Sequence, residues 1–265
     1  MIGRARNSYM CWQGKTIGHC GLWRDPRKGK NVNKVISSPD AAVADLRDGM
    51  TVMIGGFGLC GIPENLIAAT IRKGLKGLHT ISCNMGVDGF GMGLMLEAGM
   101  IASHIGSYVG ENRLLDKLVF AGELNLTVIP QGTMAERIRA AGAGIPAFYV
   151  PAGAGTIVAE GKEVREFDGK SYLMERAMHA DVSLIKAWKA DRHGNLVYRK
   201  TARNFNPVMA TAATVTIAEV EELVELGQLD PDEIVTPGIY VDRVVVGPEF
   251  KKPIESHFIK EHAQQ

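Results

Sequence analysis

Cysteine is scarce in this sequence, and long apolar runs are missing. Four cysteines in 265 residues, two of them (Cys11 and Cys20) in a basic N-terminal segment, do not make the framework of a disulfide-stapled domain. Cys60 and Cys83 sit among apolar residues and glycines and suit a reducing cytosol, so a cytoplasmic location is expected. No stretch of 18 apolar residues occurs, so no membrane span is expected. Residues 1–30 lack the apolar core of a secretory signal. Excess charge is lacking too, the net value being +1. Residues 1–30 hold seven Lys/Arg against one acid, Asp25. The remainder is therefore mildly acidic, and no nucleic-acid partner is expected. His104, His179 and His193 are scattered, and Cys11, His19 and Cys20 are irregularly spaced, so no metal site is expected.

What is there is 46% hydrophobic residues, enough to build a core, on a length that suits one large α/β domain or two small ones. The most informative stretch is 51–63. Thr51, Val52, Met53 and Ile54 form a short apolar run with the pattern of a buried strand. Gly55, Gly56, Phe57, Gly58, Leu59, Cys60 and Gly61 follow, with four glycines where the backbone needs positive φ or another group must come close. Ile62 and Pro63 lead into a helix, proline being suited to a first turn where an N–H would be unpaired anyway. Ile67 and Ile71 lie one turn apart on its face. Strand, glycine loop and helix can present N–H groups to an anion. The loop therefore reads either as a phosphate-facing loop or as a tight strand–helix turn. The spacing Gly56-x-Gly58-x-x-Gly61 lacks the acidic residue about 20 positions on that a dinucleotide site uses. No Gly-Lys-Ser/Thr follows to make a P-loop.

Residues 33–150 alternate between strand and helix patterns. Ser38 and Pro39 start a helix with Ala42, Val43 and Leu46 on its apolar face. Strands are expected at 78–82, 100–105, 124–129 and 146–150. Helices are expected at 111–121 and, with Thr133 as cap, at 133–141. Such alternation predicts a mainly parallel sheet covered on both faces, an open three-layer α/β/α sandwich. Residues 164–173 add a β-hairpin turning at Asp168-Gly169. Strands at 182–188, 195–198 and 215–218, a helix at 207–213 and an extended end at 237–246 complete the pattern. No internal repeat or low-complexity linker interrupts it. Residues 33–250 read as a single domain, residues 1–32 as a disordered basic upstream extension, and residues 251–265 as a polar tail.

Asp48-Gly49, then Val52-Met53-Ile54, Gly55-Gly56-Phe57, Gly61 and Pro63, form a pattern that resembles the signature of the class I coenzyme A transferases. The family's enzymes of the type that works on succinyl-CoA and a 3-oxo acid have two kinds of subunit, one of which carries the nucleophile. The stretch from Gly55 through Pro63-Glu64-Asn65-Leu66-Ile67 is similar to the kind without it. The likeness continues through most of residues 33–247. The resemblance implies a transferase subunit with CoA esters as substrates and no permanently bound cofactor. It implies a homologous second subunit, the two assembling as an A2B2 heterotetramer. The implied reaction moves CoA from succinyl-CoA to a 3-oxo acid such as acetoacetate, in ketone body metabolism. That family's nucleophile is a glutamate in a Ser-Glu-Asn-Gly motif on the second subunit, and the motif is absent here. The alternatives are a related transferase using 3-oxoadipate or acetate, and a non-catalytic or isomerase-like protein binding phosphorylated ligands through the same loop.

In a parallel α/β sheet ligands sit beyond the carboxyl ends of the strands. That singles out loops 55–61, 83–93, 106–112 and 130–133. Glu111 could attack a thioester, but a carboxylate opening a helix is favoured by the exposed N–H groups, and the second role is expected. Gln131 could donate to an oxyanion or cap the next helix. The resemblance implies that it faces the reacting acyl group. It likewise marks Asn84 as an active-site asparagine, with Cys83 standing where the family usually has another asparagine. Cys83 has no histidine close in sequence to activate it. The expected roles are supporting catalysis by Asn84 and Gln131 and CoA contact along residues 55–61. Arg199, Lys200, Arg203 and Asn204 form a polar cluster, by residue type a solvated face. The resemblance leaves contact between subunits, fold support and ligand binding open for it.

Overall fold

The structure, a computed structural model, describes residues 32–252. The expected basic extension, with Cys11, His19 and Cys20, and the tail beyond residue 252 lie outside the described residues. Helix α1 (Pro39–Ala42) is capped by the Ser38 hydroxyl, which accepts from the Ala41 N–H. β1 (Thr51–Ile54), α2 (Glu64–Lys73), β2 (Leu78–Ile81), α3 (Met92–Glu97) and β3 (Ile101–Gly106) follow. Next come α4 (Arg113–Phe120), β4 (Asn125–Val128) and α5 (Gln131–Gly142). β5 (Ala147–Val150), β6 (Val164–Phe167) and β7 (Lys170–Arg176) precede a long β8 (Ala180–Asp191). β9 (Leu196–Val197), α6 (Asn206–Met209), β10 (Ala213–Val224) and β11 (Arg243–Val246) end the series.

The main sheet has the order β11-β10-β8-β1-β2-β3-β4, with β9 on β8. Every pair along that path is parallel, and β9 is antiparallel. Side chains alternate across it, as the period of a strand requires. Val52, Ile54, Val182 and Leu184 enter one core, with Leu66 and Ile67 of α2, Met95 of α3 and Leu115 of α4. Met53, Ile185 and Ala187 enter the other, with Met134 and Ile138 of α5 and Met209 of α6. The result is the expected α/β/α sandwich. Each large side chain buried in this way contributes about 1.5–3 kcal/mol by leaving water.

Several local expectations change. β5 is not a fifth parallel strand: it pairs antiparallel with β7 and, through it, joins β6 in a separate three-stranded sheet. An apolar run of four residues specifies a strand but not its neighbour. The β6–β7 hairpin itself is as expected, with positive φ at both Asp168 and Gly169, the turn geometry that Asp-Gly favours. Helix α4 begins at Arg113 rather than Glu111, because the Asn112 side chain accepts from the Leu115 N–H and is the cap. Glu111 precedes it in the left-handed region at φ 67°. Helix α5 begins at Gln131 with Pro130 at its cap, which leaves Thr133 buried inside the helix rather than capping it. The helix expected at 207–213 shortens to α6. β10 runs past 218 because it stays paired with β8 as far as Val224.

Helix α2 has no capping side chain of its own. Glu219, fully buried on β10, takes that place. Its Oε2 accepts from the N–H groups of Asn65 and Leu66 at 2.9 and 2.8 Å, and its Oε1 from Asn65 Nδ2 at 2.9 Å. Burial pushes the Glu219 carboxyl up from 4.5 to about 7. His104, buried on β3 with Nδ1 hydrogen-bonded to Thr80 Oγ1, is pushed by burial the other way, from 6.5 to about 4.

These two groups give stability opposite pH dependences. The folded state holds the Glu219 proton more tightly than the unfolded chain, so that contribution is complete below about 4.5 and lost as pH rises through about 7. The His104 contribution is complete above 6.5 and lost as pH falls through about 4. In urea unfolding across a pH series, Glu219→Gln should become less destabilising by about 3 kcal/mol between the lower and upper ends of its window. His104→Asn should do the same in the opposite direction. A pH-independent effect of either substitution would contradict the assignment.

Candidate functional site

Because β1 to β4 are parallel, their carboxyl ends share one edge of the sheet. The four loops leaving them surround a cavity of about 270 Å³. Phe57 and Gly58 come from the first loop and Cys83 and Asn84 from the second. Ser107, Tyr108 and Glu111 come from the third, and Gln131 from the start of α5. Asn84 and Gln131, singled out in the sequence, therefore share one wall with two members of the glycine loop. None of the described residues lining this cavity is Lys, Arg or His. Asn84 is buried and its Oδ1 accepts from the Gly86 N–H at 3.4 Å. Its Nδ2 has no protein partner among the described residues. Gln131 Nε2 lies 4.0 Å from Cys83 Sγ. The two carboxamides, with the hydroxyl of Tyr108, can donate to a carbonyl group here, while the Glu111 carboxylate can only accept.

The rest of the glycine loop lies elsewhere. Leu59, Cys60 and Gly61 line a second cavity of about 270 Å³ together with Lys186, Arg199, Lys200 and Lys252. Gly55 and Gly56 are packed against protein. A Cβ on Gly55 would fall 1.9 Å from Asn206 Oδ1. One on Gly56, where φ is +121°, would fall 2.6 Å from Ile62 Cγ2. Two asparagines hold the loop. Asn206, fully buried, donates from Nδ2 to the carbonyls of Gly61 and Ala202, both at 3.0 Å, and accepts at Oδ1 from the Lys186 N–H at 2.9 Å. Asn204 donates to the Cys60 carbonyl at 2.9 Å. Sequence reasoning placed Asn204 only in a polar cluster and missed Asn206. The signal available was two asparagines separated by a single residue, Asn204 and Asn206, at the end of that cluster.

The helix after the glycine loop is not an empty anion cradle. The N–H groups of Asn65 and Leu66 are already taken by the Glu219 carboxyl group. That weighs against the phosphate-facing reading at the helix start, and the physical reason is a partner 153 residues away.

Residues 36–247 match the coenzyme A transferase family. The chain belongs to that family. It is 55% identical over 224 residues to a succinyl-CoA:3-ketoacid coenzyme A transferase subunit of Helicobacter pylori (strain J99 / ATCC 700824), a match covering 84% of this chain and 97% of the relative. The human mitochondrial succinyl-CoA:3-ketoacid coenzyme A transferase 2 is 53% identical over 240 residues, covering 84% of this chain and 46% of that protein. Among solved structures, an acyl-CoA transferase apoenzyme from Escherichia coli O157:H7 superposes with a TM-score of 0.76 at 24% identity, over 82% of this chain and 48% of that one. The transferase described here thus spans about half the length of that structure, and the likeness concerns the fold. Glutaconate coenzyme A-transferase from Acidaminococcus fermentans gives 0.72 at 21% identity, over 81% of this chain and 76% of that one.

If the two asparagines fix the loop of this transferase, Asn206→Ala should cost about 1–3 kcal/mol in urea unfolding, because it strands buried backbone groups. Gly55→Ala should cost at least as much, through overlap with Asn206. A loss below about 0.5 kcal/mol for both would show that the loop is held by something else.

Proposed function

We propose that this chain is one of the two different subunits of an enzyme that moves CoA from succinyl-CoA to a 3-oxo acid such as acetoacetate. The observation that carries the reading is the shared wall, where the carboxamides of Asn84, in the loop after β2, and Gln131, at the start of α5, reach one cavity. Identity of 53–55% to bacterial transferase subunits over 97% of their length supports it.

The Ser-Glu-Asn-Gly motif is absent from the sequence, so the attacking glutamate belongs to the second subunit. Its carboxylate adds to the thioester carbonyl, the CoA thiolate leaves, and an acyl–glutamyl anhydride remains. The thiolate then attacks the glutamyl carbonyl, releasing succinate and leaving a glutamyl-CoA thioester. The acceptor carboxylate repeats the sequence in reverse and leaves as its CoA ester. Every step keeps an activated acyl group, provided that water stays out. Asn84 and Gln131 donate N–H bonds to the oxyanions formed on the way. A pre-aimed donor of that kind is worth about 3–4 kcal/mol in the transition state. Phe57 and Gly58 lie against the thioester end of CoA, with the remainder of residues 55–61 shaping its approach. Among the described residues the cavity wall has no cation, and the reading assigns to the second subunit the positive charge that a succinyl carboxylate needs. CoA esters are substrates, no cofactor stays bound, the assembly is A2B2, and the location is cytoplasmic.

Glu111 lines the same cavity, which gives a second reading in which the nucleophile lies in this chain. Mass spectrometry of the co-expressed pair after incubation with succinyl-CoA separates the two. The adduct is expected on the second subunit; one found on Glu111 would overturn the divided site. In that pair, Gln131→Ala and Asn84→Ala should each lower kcat by about 100- to 1,000-fold with KM nearly unchanged. A pair that exchanges no CoA at all refutes the transferase assignment.

A further inference from the structure

Cys83 lies on the wall beside Gln131 and is buried, with 3% of its surface exposed. Its backbone is anchored to the end of β3, since its carbonyl accepts from the N–H groups of Ser107 and Tyr108. The Ser107 hydroxyl donates to the same carbonyl at 3.1 Å. The Cys83 thiol lies 3.7 Å from Ser107 Oγ. Gln131 Nε2 donates to Cys83 Sγ at 4.0 Å.

One arrangement of protons satisfies all of these contacts. A serine hydroxyl has a single hydrogen, and here it goes to the Cys83 carbonyl. Ser107 Oγ must then accept in the thiol contact, so the S–H points at it. The sulfur lone pairs are left facing Gln131, which donates. No other side-chain hydrogen bond to Gln131 exists among the described residues. The two ends of a carboxamide are nearly equal in size, so only hydrogen-bond partners decide which end faces where.

We propose that Cys83 is a positioning residue for Gln131. Its sulfur keeps Nε2, rather than Oε1, turned toward the cavity wall, with one N–H on sulfur and the other available to the substrate carbonyl. Without that acceptor the amide flips between two orientations of similar energy. In the flipped state Oε1 meets the developing negative charge and repels it. The proposal rests on Gln131 acting as an oxyanion donor. The carboxamide does the chemistry, and the thiol determines the fraction of time it is correctly aimed.

The test uses the co-expressed complex of both subunits. Cys83→Ala should lower kcat about tenfold while KM for succinyl-CoA stays within about twofold, because the loss appears only in the transition state. Cys83→Ser, which keeps an acceptor and a donor, should remain within about threefold of wild type. In a Gln131→Ala background, Cys83→Ala should have no further effect on single-turnover adduct formation, since the group it aims is gone. Cys83→Val, which fills the space without accepting, takes the place of Cys83→Ala if that variant fails to assemble. An unchanged kcat, or an equal loss in the Gln131→Ala background, overturns the positioning role and leaves the transferase reading standing. A wild-type complex that exchanges no CoA overturns both.

Discussion

A carboxamide buried without water must find protein partners for its oxygen and both hydrogens, and Asn206 does so on three separate segments. It joins the glycine loop through Gly61, strand β8 through Lys186, and the turn before α6 through Ala202. Gly55 is glycine because that carboxamide occupies the space a side chain would need. The loop is thus defined by its contact with protein on one side, which leaves Phe57 and Gly58 facing the cavity on the other. Removing the carboxamide would leave buried donors and acceptors unpaired, each costing about 1–3 kcal/mol.

A second buried polar group acts one element further on. Glu219 meets the first turn of α2, where the aligned peptide dipoles favour negative charge. It also ties a helix early in the chain to a strand near its end. Glycine loop and helix are therefore held from β10 and α6, both of which lie late in the sequence. The cavity wall inherits its geometry from these anchors and from the parallel pairing of β1 to β4. Asn84 and Gln131 are neighbours because their strands end at the same edge, although 47 positions (131 − 84) separate them.

What could be read from the sequence follows the range of the interactions involved. The glycine stretch, the alternation of strands and helices and the Asp168-Gly169 turn are local patterns, and the fold class follows from them. The four loops were legible as well, since parallel strands place their carboxyl ends together. The neighbour of β5 was not, because Ala147, Phe148, Tyr149 and Val150 suit either sheet. Asn206 and Glu219 were not, because the partners that define their roles include groups 20, 145 and 154 positions away. The starts of α4 and α5 shifted by two residues because Asn112 and Pro130, rather than Glu111 and Thr133, occupy the cap positions.

The place of β8 in the sheet has a consequence for synthesis of the chain. Among the described residues, β1 pairs with β2 on one side and, on the other, with β8, which ends at Asp191. During translation at about 5–20 residues per second, β1 waits roughly 7–27 seconds with one row of backbone donors and acceptors unpaired. An uncovered strand of that kind is a template for pairing with another copy. Pairing of β8 with β1 is accordingly the step that closes this edge and completes the centre of the sheet.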